Sequence, residues 1–195
     1  MTVYTEAGLT EKKYQKLLEI KHEVDEIQER KERILEQIQV TFLQPILKNE
    51  DKQALEVLYP LLPEDLKTDL RTIRLQWGRV LISEKPDTSL EKEHAEKMWS
   101  HSPFFKQKFG SSKKNILNSL YTDQQLLNYN NEHFIVLLSL CNEHFQLNNR
   151  EEKLDTLVFT RFVEKTTDKE KLEKLITLLP PLYSRFQARD ILYSM

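Results

Sequence analysis

The chain has 195 residues, only 3 glycines and 7 prolines, 31% charged side chains and a formal net charge of −2. A charge so near balance excludes bulk electrostatic attraction to nucleic acid as the basis of function, and so little glycine leaves almost no material for a phosphate-cradling loop. The single cysteine, Cys141, excludes an intramolecular disulfide and suits a reducing compartment, so a cytoplasmic location is expected.

Stretches of alternating β-branched and aromatic residues are nearly absent, and the connectors are short runs of Asn, Ser and Pro. This pattern predicts an all-α fold, a multi-helix bundle of about seven to nine helices. The length suits a single helical domain over residues 1–195. The opening MTVYTEAGLTEKK has neither a basic n-region nor an apolar h-region, so no secretory signal is expected.

Thr10 is a plausible N-cap, and a long amphipathic helix is predicted over 10–47. Ile20, Ile27 and Ile34 recur every seven residues, with Val24 and Ile38 at the companion position and Lys31 interrupting the seam. That spacing fits a helix packed along a bundle or a two-helix coiled coil. At roughly 1.5 Å per residue it would span about 50 Å, so one end is expected to project. Pro45 should kink or end it.

Asn49 or Asp51 then caps a short helix to Leu58. Pro63, Glu64 and Asp65 start another, expected to reach about Ser83 with Leu66, Leu70, Ile73, Trp77, Val80 and Leu81 on one side. SEKPDTS reads as a connector, and Asp87 or Thr88 caps a helix to Trp99. Ser102-Pro103 opens FFKQKF, which Gly110 ends, and Ser111 or Ser112 caps KKNILNSLY.

Thr122 reads as the cap of a central helix to Leu147, with Asn128, Asn130 and Asn131 as candidate interruptions near its start. Its middle, Phe134–Leu138, is apolar on every side, so it must be wrapped by other helices. It is far too short to span a membrane, which takes about 20 apolar residues, and no membrane partner is expected. Asn148-Asn149 should end this helix, followed by one from Arg150 to Lys165. Thr167 caps DKEKLEKLITLL, Pro180-Pro181 stops it, and a last helix runs from Leu182 to Tyr193, its apolar side formed by Tyr183, Phe186, Ile191 and Leu192. No repeat of 20–50 residues occurs. The tetrapeptide NEHF appears twice, at 131–134 and 142–145, three helical turns apart.

Two Glu-x-x-His pairs, Glu19 with His22 and Glu91 with His94, match the spacing of di-iron bundles, with Glu132 and Glu143 as candidate lone glutamates. The helical phase argues against a metal: His22 lies off the isoleucine seam, and Glu91 and Glu93 belong to a charged face. No hydrolase elbow, Walker loop, dinucleotide fingerprint or zinc-ligand pairing is present. The chain therefore reads as a non-enzymatic protein with no cofactor and no metal.

Charge is unevenly spread. Residues 1–65 carry 9 basic and 14 acidic side chains, whereas residues 97–122 carry 5 basic and none acidic. In that window Lys97, Lys106, Lys108, Lys113 and Lys114 are interleaved with Trp99, Phe104, Phe105 and Phe109. The expected function is that of an interaction or adaptor protein whose protein partner presents an acidic surface. Binding is expected through the long N-terminal helix, the basic aromatic segment, or both. The candidate contact residues are Lys106, Lys108, Lys113, Lys114, Phe104 and Phe105. Nucleic-acid binding through 97–122 is the second reading, and a helical-bundle enzyme or metal protein the third.

Overall fold

The structure is a computed structural model that describes residues 2–78, 80, 91–110 and 112–195. Expectations placed on Leu81, the 83–89 connector with its caps Asp87 and Thr88, and Ser111 lie outside the described residues. Among the described residues every regular element is helical and no strand occurs, so the fold is an all-α bundle with a long N-terminal helix. No described helix is long and apolar enough to cross a membrane.

Contacts divide the chain into two compact units, Met1–Lys31 with Leu147–Met195 and Glu32–Gln146. The first unit holds α1 (Val3–Glu6), the start of α2 (Glu11–Ile38), the end of α9 (Asn131–Val158), α10 (Lys169–Leu178) and α11 (Tyr183–Ser194). The second unit holds the rest of α2 and α9. Between them in sequence lie α3 (Gln44–Lys48), α4 (Lys52–Leu58), α5 (Glu64–Trp77), α6 (Lys92–Trp99), α7 (Ser102–Phe109) and α8 (Lys113–Leu127).

The isoleucine seam of α2 is used internally. Leu17, Ile20, Val24 and Ile27 join Leu154, Val158, Leu172 and Leu175 in the core of the first unit, and Ile34 and Ile38 are fully buried in the second. Lys31, at the polar break, reaches Glu151 at 3.5 Å. Beside it Arg150 grips Glu23 with two hydrogen bonds of 2.6 and 3.1 Å, which hold the Glu23 carboxyl below its usual range. Pro45 does not end the helix. It has no N–H to give Thr41, and the ladder slips just before it: Gln39–Leu43 is a π-helical turn in which the Gln44 N–H donates to the Gln39 carbonyl. The helical backbone then continues to Lys48.

Several boundaries differ from expectation. α5 stops at Trp77, where Gly78 takes φ 77°, rather than near Ser83. Thr122 lies inside α8 and bonds back to the Asn118 carbonyl at 2.8 Å. The break before the central helix comes instead at Asn128, in the left-handed region at φ 57°, a conformation asparagine tolerates better than most residues. Asn148-Asn149 does not end α9, which runs unbroken to Val158. Two asparagines cost only a few tenths of a kcal/mol each in helix propensity, and the Leu147 and Leu154 packing and the Arg150–Glu23 pair outweigh that. A second π-helical turn, Phe159–Val163, follows. There Thr160 hydrogen-bonds the Thr156 and Leu157 carbonyls, a back-bonding habit that bends helices. Asp168, not Thr167, caps α10 through the Lys171 N–H at 3.0 Å.

The central stretch is less enclosed than its composition implies. Phe134, Leu137, Leu138, Leu140 and Cys141 are buried, but Val136 is 42% exposed. In α11 the buried face is Ser184 and Ala188, with Ile191 and Leu192 packed beside it, while Tyr183 and Phe186 face solvent. Residues 184, 188 and 191 follow the i, i+4, i+7 phase of one helix face, and 183 and 186 fall off it. Truncating the fully buried Leu138 to Ala should cost about 2–5 kcal/mol in urea unfolding, whereas Val136→Ala should cost well under half as much. Equal losses at the two positions would show that the solvent-facing phase of α9 is misassigned.

Candidate functional site

The basic aromatic window forms α7, the start of α8 and the end of α6. Burial decides where each of its side chains goes. Phe104 and Phe105 are 2% and 0% exposed and meet edge to face at 4.7 Å; Phe104 also meets Phe145 at 5.3 Å. These two phenylalanines, expected to touch a partner, instead fasten α7 to the core. The window's aromatic surface is supplied by half-buried Trp99 and by Phe109, 45% exposed and stacked on Phe105.

Trp99 is the organising residue. The Lys106 ammonium of α7 lies 4.5 Å from its ring centroid and the Lys113 ammonium of α8 lies 4.7 Å away. Three helices thus deliver one indole and two cations to one place. Gly110, at φ 53° in the left-handed region, ends α7, and Ser112 caps α8 by accepting the Asn115 N–H. Gly110 and Ser112 both stand between Lys106 and Lys113 in the chain. Each cation–π contact at such an exposed place is worth about 0.5–1 kcal/mol. Lys106, Lys113 and Lys114 are exposed, and among the described residues none has a carboxylate within salt-bridge distance. Lys97 differs: it pairs with Glu93 at 3.0 Å.

Lys108 leaves this group. Lysines 106 and 113 share one side of the segment, but Lys108 is one turn from Phe104 and follows it inward. Its ammonium lies 4.8 Å from the Phe104 ring and donates to the Leu62 carbonyl at 3.0 Å. Burial, assisted by the neighbouring Lys67 charge, pushes its pKa down to about 8. Of the four candidate lysines, Lys106, Lys113 and Lys114 therefore stay exposed, and the first two meet over Trp99. Lys67, buried in α5, bonds Glu64 at 3.0 Å, and Cys141, 1% exposed, has its thiol pushed up to about 12 by burial. A thiol in that state is a small hydrophobe rather than a nucleophile.

The histidine–glutamate pairs go elsewhere. His22 meets Glu26 at 3.3 Å on an open surface. His94 is buried with Nε2 2.7 Å from the Gln124 amide oxygen. Gln124 in turn donates to the Tyr129 carbonyl and the Asn131 side chain, so this histidine locks the α8–α9 turn. Glu91, His94 and Glu132 line one shallow cavity, yet among the described residues no three His, Cys, Asp or Glu side chains converge as a metal site requires. Compared with known protein families, curated proteins and solved structures, the chain matches none at a significant level.

Lys108 makes a pH signature. Its folded pKa lies below the ordinary value of 10.5, so between about pH 8 and 10.5 the unfolded chain binds more protons at this position. Its contribution to stability therefore rises with pH across that window. The Lys108→Met variant lacks the term. Denaturant midpoints measured from pH 7 to 10 should shift in favour of wild type relative to the variant as pH rises. Parallel curves would show that Lys108 is solvated.

Proposed function

We propose that the protein is a non-enzymatic interaction protein that binds an acidic segment of a partner protein at the face formed by Trp99, Lys106, Lys113 and Lys114. The observation that carries this reading is the pair of lysine ammoniums held over one indole with no carboxylate among the described residues to neutralise them. An acidic side chain arriving there gains a charge-assisted contact without first breaking an internal salt bridge.

Two further observations narrow the reading. The apolar seam of the N-terminal helix is buried within the fold, so it offers little to a partner helix, and the basic face is the stronger of the two surfaces expected from the sequence. Three free lysines are also few for a phosphate backbone, where firm binding takes about 6–10 contacts, and exposed Glu91, Glu93 and Glu96 on the Trp99 side of the window oppose a polyanion of that length. A short acidic peptide in a reducing, cytoplasmic setting suits the face better.

Replacing Lys106, Lys113 and Lys114 together by Glu should weaken binding of a roughly ten-residue glutamate-rich peptide at least tenfold at low salt. The circular-dichroism spectrum should be unchanged and the melting temperature within a few degrees, because the three side chains are exposed. Undiminished peptide binding by the triple variant would overturn the proposal. So would wild-type affinity for single-stranded RNA exceeding that for the peptide.

A further inference from the structure

The first unit contains a second concentration of positive charge that the order of residues along the chain conceals. A cavity of about 630 Å³ is lined by Lys12, Lys13 and Lys16 from the start of α2 and by Arg161 and Lys165 from the end of the α9 segment. Among the described residues Glu19 is the sole acid in the lining, and it is already engaged by Lys16 at 3.6 Å. Among the described residues, Lys12, Lys13, Arg161 and Lys165 have no carboxylate within salt-bridge distance. Residues 1–31 and 147–195 together hold 15 basic and 15 acidic side chains. A neutral unit thus places a net charge of four on the wall of one cavity.

We infer that this cavity binds a small molecule carrying two or more phosphate groups. The volume lies within the roughly 300–1,000 Å³ of ordinary small-molecule sites. The neutral side chains on the wall are Thr10 and Gln15, both able to donate hydrogen bonds. Thr10 accepts the Lys13 N–H at 3.3 Å and keeps its own hydroxyl proton to give. The one aromatic side chain, Phe162, is 3% exposed and belongs to the core, so no ring is presented for stacking a base. The wall therefore offers cations on aliphatic stems and hydrogen-bond donors, with no exposed ring among the described residues, and this favours a phosphate cluster over a nucleobase. Arg161 stands on the π-helical turn Phe159–Val163, whose extra residue sets its phase relative to Val158 and Phe162, which turn into the core.

The test is calorimetric titration of the full chain with inorganic tripolyphosphate at about 50 mM salt, repeated at about 150 mM. One site per chain is expected, weakening as salt rises. The Lys13→Gln/Arg161→Gln variant should lose at least tenfold in affinity, with an unchanged circular-dichroism spectrum. Charge reversal at Lys106, Lys113 and Lys114 should leave the binding intact, which separates this site from the face around Trp99. Absence of binding would overturn the inference. So would equal binding by the Lys13/Arg161 variant, or equal loss on reversing Lys106, Lys113 and Lys114. Should that variant fail to fold, Lys12→Gln/Lys165→Gln is the second arm with the same expected loss. A twenty-nucleotide RNA or anionic phospholipid vesicles outcompeting tripolyphosphate would likewise overturn it in favour of an extended polyanion.

Discussion

Two 28-residue helices, α2 and α9, carry apolar faces too long for one small core, and burial of those faces is the constraint on which the rest of the structure depends. Each gives one part of its length to the first unit and the other part to the second. The hydrophobic residues do not simply continue across that division. Lys31 interrupts the α2 seam, and Glu151 answers it, with Arg150 and Glu23 beside them. A buried or half-buried cation without such a partner would cost several kcal/mol, so these acids and bases are placed where the apolar pattern lapses.

The same logic fixes the basic surface. Met98, Phe104, Phe105, Ile116, Leu117 and Leu120 turn inward, and the lysines between them take whatever direction that burial leaves. Lys108, in phase with Phe104, is drawn against the core and satisfied by a backbone carbonyl. Lys106 and Lys113, out of phase with it, meet over Trp99. With no acidic residue between positions 97 and 122, the indole face is what stabilises them. That arrangement leaves their charge available to a ligand, because a cation–π contact orients an ammonium without neutralising it.

Much of this was legible in the sequence. The all-helical class, the seam of Ile20, Ile27 and Ile34, the Asp51 and Ser112 caps and the stop at Gly110 follow from local periodicity and capping chemistry. What was not legible depended on tertiary context. Asn148-Asn149 has the composition of a helix end, but packing and the Arg150–Glu23 pair carry the helix through it. Thr122 has the chemistry of a cap and spends its hydroxyl on its own helix. Phe104 and Phe105 looked available because lysines flank them, although two adjacent phenylalanines on a short helix bury first. The cavity lined by Lys12, Lys13, Arg161 and Lys165 was invisible to a linear count, since residues 1–65 sum to an acidic segment and its two halves lie about 150 positions apart in sequence.

The binding face depends on the placement of two ammonium groups over Trp99, and proton NMR of the lysine ε-methylenes tests that placement most directly. Ring currents act on protons held over an indole face, so Lys106 and Lys113 should show ε-methylene resonances displaced upfield of the other lysines. Both should return to ordinary positions in Trp99→Leu, with the helical spectrum intact. Undisplaced lysine ε-methylenes throughout the wild-type protein, or displaced ones that persist without Trp99, would contradict the arrangement from which the binding face is built.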